Sequence, residues 1–291
     1  MPIRTRVLRV LAKARAAQPR FPAWPIEGSL DEGLASDGYA GHKAALVITH
    51  DVDSRPELAL IEGIRKLERE VGAFSAWGFV PNESWPTETL ARQLVDDGCE
   101  LYWHDIGHNG RLPYRPIDEI RAAFDGVAVS SPWAIELMRG FRAGQLLGSQ
   151  ALMTVVAERF AFDMSIPDTE RDGPYGSTAG CGTVFPFRLR GLVELPLTLP
   201  QDVFLREVYG LSGDAALTVW NRKLEYIKHV GGVAVLNIHP VWANPSRPEA
   251  VDPFVRFLRG AIADVDILIT TPSRLVDLLR PTVATPPVTA P

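Results

Sequence analysis

The sequence is poor in cysteine, has no long apolar run and carries no acid at its start. Cys99 and Cys181 are the only two thiols in 291 residues. Neither a disulfide framework nor a cysteine zinc cage can be built from them, and one bridge is the most they can form. Any metal must therefore be held by histidine and carboxylate. Arg, Asp, Pro or Gly interrupts every apolar stretch before the ~18–20 residues that a bilayer span needs, so no transmembrane segment is expected. There is no low-complexity tract in the body and no repeat of ~20–50 residues, which excludes solenoids and propellers. Residues 1–20 hold Arg4, Arg6, Arg9, Lys13, Arg15 and Arg20 with no acid. Arg9 and Lys13 break the ~7–15-residue apolar region of a secretion signal, so the expected location is cytoplasmic. The segment reads as a solvated or locally docked terminal helix, with a short basic amphipathic helix against an anionic membrane or partner as the alternative.

Hydrophobic residues make up 46% and charged residues 22% of the chain, proportions that exclude a disordered, collagenous or fibrous protein. The whole chain has a formal charge of −5, which leaves −11 beyond the basic first twenty residues. An acidic body lacks the basic face that releases counterions from phosphate, so nucleic acid is not an expected partner. Pro19, Pro22 and Pro25 mark residues 1–25 as a basic segment and linker, because each fixes its own φ and restricts its predecessor. Pro281, Pro286, Pro287 and Pro291 mark 281–291 as a tail with nothing to bury, expected to be disordered. A single domain over 26–280 is expected between them.

Within that body short β-branched runs alternate with helical patterns. Strands are expected at 44–49, 74–80, 100–104, 137–142, 162–166, 192–197, 232–238 and 266–270. Helices are expected at 56–71, 87–97, 117–124, 145–160, 215–229, 253–263 and 272–279. About eight such units predict an α/β fold built on a mainly parallel sheet, closed as a (β/α) barrel rather than left open. Chemistry in such a fold gathers at the carboxyl ends of the strands.

Polar residues stand at those ends. The first strand closes on Thr49-His50-Asp51-Val52-Asp53, two carboxylates one residue apart that call for a cation or a proton, unless they cap a turn. The third closes on His104-Asp105-Ile106-Gly107-His108, whose histidines four residues apart can converge on one ion. With Asp53 they make a His, His and carboxylate set that leaves a coordination position for water. Arg142 follows another apolar run, Asp163 and Asp168 flank Ser165-Ile166-Pro167, and His239 ends Val235–Ile238. Each has a structural alternative: an ion pair for Arg142, a turn cap for Asp163, a packed core imidazole for His239.

In order and spacing, residues 44–275 resemble the NodB-type polysaccharide deacetylases, the carbohydrate esterase family 4-like group. Thr49–Asp53 is similar to a variant of that family's first motif, His104–His108 to its second, and Leu236-Asn237-Ile238-His239 to its fifth. The resemblance implies a distorted barrel of seven or eight strands and a metal-dependent deacetylase or amidohydrolase acting on a non-peptide carbon–nitrogen bond. It implies Asp53, His104 and His108 as ligands of a divalent ion, zinc first, with Co2+, Ni2+ or Mn2+ as alternatives. Asp51 is then the general base, Arg142 its orienting partner, His239 the general acid, and Asp163 or Asp168 the carboxylate paired with His239. Three departures bear on the cleft: His50 stands for an aromatic, Asp105 for Ser or Thr, and no proline follows Arg142. The Gly-rich connection 168–191 is expected to lie over the site as a lid or to run as a surface excursion. With no export signal recognised, a small N-acylated sugar or related amide is the expected substrate. The competing readings are a catalytically silent carbohydrate-binding relative and a phosphoesterase or glycosidase on a related barrel.

Overall fold

The computed structural model of the chain describes residues 28–29, 39–168 and 180–279. The basic segment, the proline-rich tail and residues 169–179 of the expected lid lie outside the described residues. Ten strands are found among those described: β1 (Gly28–Ser29), β2 (Ala44–Val52), β3 (Ala76–Phe79), β4 (Glu100–His104), β5 (Met138–Arg142), β6 (Phe162–Asp163), β7 (Phe187–Leu189), β8 (Leu192–Glu194), β9 (Val233–Asn237) and β10 (Ile267–Ile269). The helices are α1 (Ile61–Val71), α2 (Glu88–Asp96), α3 (Ile117–Ser130), α4 (Pro132–Leu137), α5 (Gln150–Ala157), α6 (Gly213–Val230), α7 (Pro248–Ala263) and α8 (Pro272–Leu279).

All ten strands belong to one sheet, ordered β1-β7-β8-β6-β5-β4-β3-β2-β10 with β9 also on β2. Only the β1–β7 and β7–β8 pairs are antiparallel, which leaves eight strands in parallel register. β2 is the hub. Its residues 45–49 pair with β9 along one edge, while 44–46 pair with β10 and 49–52 with β3 along the other. The chain after β8 returns to β9 through Leu199 N to Val235 O at 3.0 Å and Thr198 Oγ1 to Val233 O at 2.9 Å. Loop hydrogen bonds, not a strand ladder, thus bring the curl back on itself. This is the distorted barrel the motifs implied.

Local chemistry explains where the elements end. Thr87 Oγ1 accepts from Leu90 N and Ser149 Oγ from Leu152 N, capping α2 and α5, and Gly72 in the left-handed region stops α1. The helix expected from residue 145 begins only at Gln150, because Gln145 and Leu146 are left-handed, with φ of 56° and 53°. The antiparallel hairpin β7–β8 was not expected at all. Arg190 and Gly191 both have positive φ (54° and 78°), the signature of a type I′ turn, but arginine is not among the residues that announce one. The strand expected over 162–166 keeps a ladder of only two residues, since Ile166 N donates to the Glu194 carboxylate instead. No bridge joins the cysteines: Cys99 is buried and free, Cys181 half-buried and free.

Alternation along β2 divides the molecule into two packed layers. Ala45 and Val47 join Tyr102, Phe162, Met164, Val193 and Val235 in the barrel interior. Ala44, Leu46, Ile48 and Val52 face outward with Phe254, Phe257 and the other residues that bury the helices. Two interior positions have no room for a side chain. A Cβ on Gly78 would fall 2.3 Å from the Tyr102 ring, and one on Gly140 would fall 2.1 Å from the Phe162 ring. Gly78→Ala is therefore expected to push Tyr102 out of place, lowering stability by about 1–3 kcal/mol as overpacking does. Chemical denaturation would measure the loss, and a wild-type midpoint would contradict the tight fit.

Candidate metal centre and cleft

Asp51 and Asp53 share the inward parity of Ala45 and Val47, so both carboxylates leave β2 on the barrel side. Asp51 is buried and accepts three hydrogen bonds. Its Oδ1 accepts from Tyr102 OH at 2.5 Å and Arg142 Nη1 at 3.0 Å, and its Oδ2 accepts from Asn237 Nδ2 at 2.8 Å. Burial alone would raise its pKa, but Arg142 and the imidazoles of His104 and His239 hold it well below the usual carboxylate range. Arg142 has no exposed surface. Its Nη1 also donates to Thr49 Oγ1 and Tyr102 OH, each at 2.9 Å, and its Nε to Met164 O at 2.9 Å.

Asp53, His104 and His108 converge. Asp53 Oδ1 lies 3.2 Å from His104 Nε2 and 3.4 Å from His108 Nε2, and the three ligand atoms all fall within 4.8 Å of one another. His104 Nδ1 sits 3.1 Å from the carbonyl oxygen of Arg142, which can only accept, so Nδ1 carries a proton and Nε2 is the nitrogen turned toward Asp53. Burial pulls the pKa of this ring down, but the Asp51 and Asp53 carboxylates more than offset it, so the site draws positive charge to Nε2. Neither Asp53 Oδ1 nor His104 Nε2 has a hydrogen-bond partner, and both atoms are buried. An imidazole nitrogen and a carboxylate oxygen held this close need a proton or a metal ion between them. Ligands ~2.0–2.1 Å from one ion at tetrahedral angles are roughly 3.3 Å apart, so the two distances match a small divalent ion. The carbonyl behind His104 also fixes ring orientation as metal sites require.

His239 projects from the end of β9. Its Nδ1 donates to Asp202 Oδ1 at 2.7 Å, its backbone N to Asp202 Oδ2 at 2.7 Å, and its Nε2 lies 3.8 Å from Asp53 Oδ2. Burial pulls its pKa down, but the Asp202 carboxylate more than offsets this and pushes it up to about 10. The carboxylate on His239 is thus Asp202, not Asp163 or Asp168 as expected. Asp163 points out of the barrel, opposite in parity to Phe162 and Met164. It accepts from Ser165 Oγ at 2.6 Å, and Ser165 Oγ in turn takes Ala143 N at 2.7 Å. Asp163 lies in register with buried Glu194; burial raises both acids, Glu194 strongly with the Asp163 carboxylate beside it. Asp168 is paired with Lys223. Neither acid lines the cleft around His239.

The cleft has a volume of about 280 Å³. Gln145, Leu146, Gln201, Val203 and Phe204 complete its walls around Asp51, Asp53, His104, His108 and His239. Residues 180–191 contribute none of these walls, so the described part of the expected lid does not line the cleft. His50 and Asp105 do not line it either. The His50 ring lies outside the barrel, stacked 4.3 Å from Trp77, with Nδ1 donating to Ile238 O at 2.7 Å and Nε2 2.9 Å from Glu68 Oε1. Asp105, left-handed at φ 59°, accepts from its neighbour Ile106 N at 2.7 Å. The residues not singled out from sequence were Tyr102, Asn237, Gln201 and Asp202. A polar residue at the end of an apolar run marks Asp202, which closes the stretch that starts at Leu192, and marks Asn237 within β9. Tyr102 carries no such mark.

No protein-family model matches the chain, and no curated protein matches it in sequence. Solved structures do. A chain named as a polysaccharide deacetylase from Mycobacterium smegmatis superposes with a TM-score of 0.67 at 18% identity, over 90% of this chain and 95% of its own. The Puue allantoinase gives 0.62 at 15% identity, over 89% and 97%. A chain likewise named as a polysaccharide deacetylase from Pseudomonas aeruginosa PAO1 gives 0.65 at 14%, over 83% and 92%. The architecture also carries a CE4 family pseudoenzyme from Bacillus anthracis, with a TM-score of 0.50 at 14% identity over 80% and 65% of the two chains, so activity has to be argued from the site. By its strand order, its parallel curl and these superpositions, the chain has the NodB-like polysaccharide deacetylase fold.

Proposed function

We propose that this chain is a metal-dependent hydrolase that removes an acyl group, acetyl in the first instance, from an N-acylated sugar or a related small amide. The observation that carries the reading is the convergence of Asp53 Oδ1, His104 Nε2 and His108 Nε2 within 4.8 Å of one another, with the first two buried and 3.2 Å apart. Asp53, His104 and His108 would hold the ion, zinc by preference since two imidazoles and a carboxylate suit a borderline cation, with Co2+, Ni2+ or Mn2+ as alternatives. A divalent ion there supplies Lewis acidity, polarising an acyl oxygen and lowering the pKa of water toward ~7.

The remaining roles follow from two environments pushed in opposite directions. Asp51 is held ionised and is the base that takes a proton from the attacking water. His239 is held protonated by Asp202 and gives its proton to the departing amine, which cannot leave as an anion. A pair of titratable groups separated in this way is what assigns acid and base. Arg142, Tyr102 and Asn237 orient Asp51 and do not touch substrate. A cleft of about 280 Å³ sits at the low end of the ~300–1,000 Å³ usual for small-molecule sites and suits one ring better than an enclosed run of sugars. The allantoinase's name favours including non-sugar amides among the substrates.

His104→Ala is expected to abolish both metal content, read by elemental analysis of the purified protein, and release of acetate from a panel of N-acetylated sugars and amides. Full metal occupancy in that variant would place the ion elsewhere. Asp51→Asn is expected to keep the metal and lose turnover by about 10²–10⁴-fold, because the amide cannot accept the water proton. Equal loss of metal and rate in a variant that keeps the wild-type stability would make Asp51 a ligand. His239 must carry its proton, so activity persists below its raised pKa and falls as the pH rises through it. Asp202→Asn removes the group that raises that pKa and should move the alkaline limb of kcat/KM down by about 1–3 pH units. Asp168→Asn should leave the limb in place, and a shift there instead would return the pairing role to Asp168.

A further inference from the structure

Behind the wall that carries Asp202 lies a second cavity, distinct from the cleft. The chain after β8 runs between the two. Gln201, Val203 and Phe204 face the cleft, whereas Asp202, Leu205 and Arg206 face this chamber. The segment includes a π-helical turn, Phe204–Val208, closed by Tyr209 N to Phe204 O at 3.0 Å. Such turns are rare and gather at functional sites. The volume of the chamber is about 210 Å³.

The walls are mainly apolar, and the polar atoms of Trp220 and Asp202 are already bonded. Leu205, Ala216, Trp220, Ile238, Trp242 and Phe254 form half of the lining, and Asp202, Arg206 and Ser212 are its polar side chains. Trp220 Nε1 donates to Pro200 O at 2.7 Å, so only ring carbon faces inward. Both Asp202 oxygens are taken by His239, and Oδ1 also accepts from Val203 N. One charge is left over. The Arg206 guanidinium stacks 3.7 Å over the Trp242 ring at the rim and has no carboxylate partner among the described residues. An apolar cavity of ~150 Å³ stays dry and takes up benzene, so this one has room for a ring with a substituent. A free guanidinium at its edge, already planar against an indole, selects a carboxylate as that substituent.

We propose that this chamber binds a small aromatic monocarboxylate, its ring between Trp220, Trp242 and Phe254 and its carboxylate on Arg206. The site is separate from the metal centre and does not depend on the hydrolase reading. Its occupant touches Asp202, the residue that holds His239.

The test is a titration of the full-length protein with sodium benzoate, read by calorimetry and by the indole N–H signals in a 15N–1H spectrum. Benzyl alcohol serves as the ring without the charge, and acetate as the charge without the ring. Benzoate should saturate and should shift the signals of Trp220 and Trp242, assigned with Trp220→Phe and Trp242→Phe, ahead of the other five tryptophans. Benzyl alcohol should bind about tenfold more weakly or worse, and acetate should leave both signals in place. Arg206→Gln, a change at an exposed side chain, should bring benzoate down to the level of benzyl alcohol. Ala216→Phe, which fills the chamber, should abolish the response. His104→Ala, which dismantles the metal set, should retain it. Failure of benzoate to saturate at millimolar concentration overturns the proposal. So do an acetate response equal to that of benzoate, loss of the response in His104→Ala, and an unchanged benzoate affinity in Arg206→Gln, an outcome that decides the matter even if Ala216→Phe does not fold.

Discussion

A guanidinium with no exposed surface must find acceptors for its charge inside the protein, and Arg142 finds them at the one place where four strands end together. Its contacts run to Thr49 and Asp51 on β2, Tyr102 on β4 and the Met164 carbonyl after β6. The ion pair with Asp51 repays the desolvation of both charges only because every remaining polar atom is also bonded. Removing either partner would strand the other as a buried charge at a cost of about 3–5 kcal/mol. The pair therefore fixes the relative positions of the strand ends, and with them the distance between Asp53 and the two histidines. Tyr102 is part of that clamp and requires Gly78 to be bare.

Strand alternation then separates chemistry from support. Successive residues of β2 point to opposite faces, so Asp51 enters the barrel while His50 leaves it. His50 is nonetheless tied to the site, since its Nδ1 donates to the carbonyl of Ile238, next to His239. Glu68 holds the other side of that ring and accepts from Ser75 at 2.8 Å. An imidazole at this position thus links helix α1, β2 and the end of β9, a task that an aromatic ring without nitrogen cannot perform. The buried Asp163–Glu194 pair supports the opposite wall in the same manner, through Ser165 and the Ala143 amide that precedes the left-handed Gln145 and Leu146.

The segment 200–208 is where the two cavities meet. It carries one cleft wall on one face and the chamber wall on the other, and the Asp202–His239 pair is the partition between them. Gln201, Asp202 and Val203 alternate between the two cavities just ahead of the π-helical turn Phe204–Val208.

The sequence by itself determined the alternation of strands and helices, the parallel barrel and the residues at the strand ends, Asp51, Asp53, His104, His108, Arg142 and His239. These depend on periodicity and on polar residues closing apolar runs, both local properties of the chain. Most element edges were legible to within a few residues, but α3 runs on to Ser130 where 124 was expected, α7 begins at Pro248 where 253 was expected, and α4 was not expected. Positive φ at Gln145–Leu146 and in the Arg190–Gly191 turn explains two further differences, since neither uses the residue types that advertise such backbone. Only the tertiary structure decided which aspartate meets His239. Asp163, Asp168 and Asp202 all follow strands, and the choice among them rests on side-chain parity and on how the chain after β8 returns to β9. It likewise decided that His50 and Asp105 lie away from the cleft and that a second, apolar chamber exists at all. Its walls come from residues 202 to 254, brought together by the packing of α6 and α7 on the sheet, and no window of the sequence contains that arrangement.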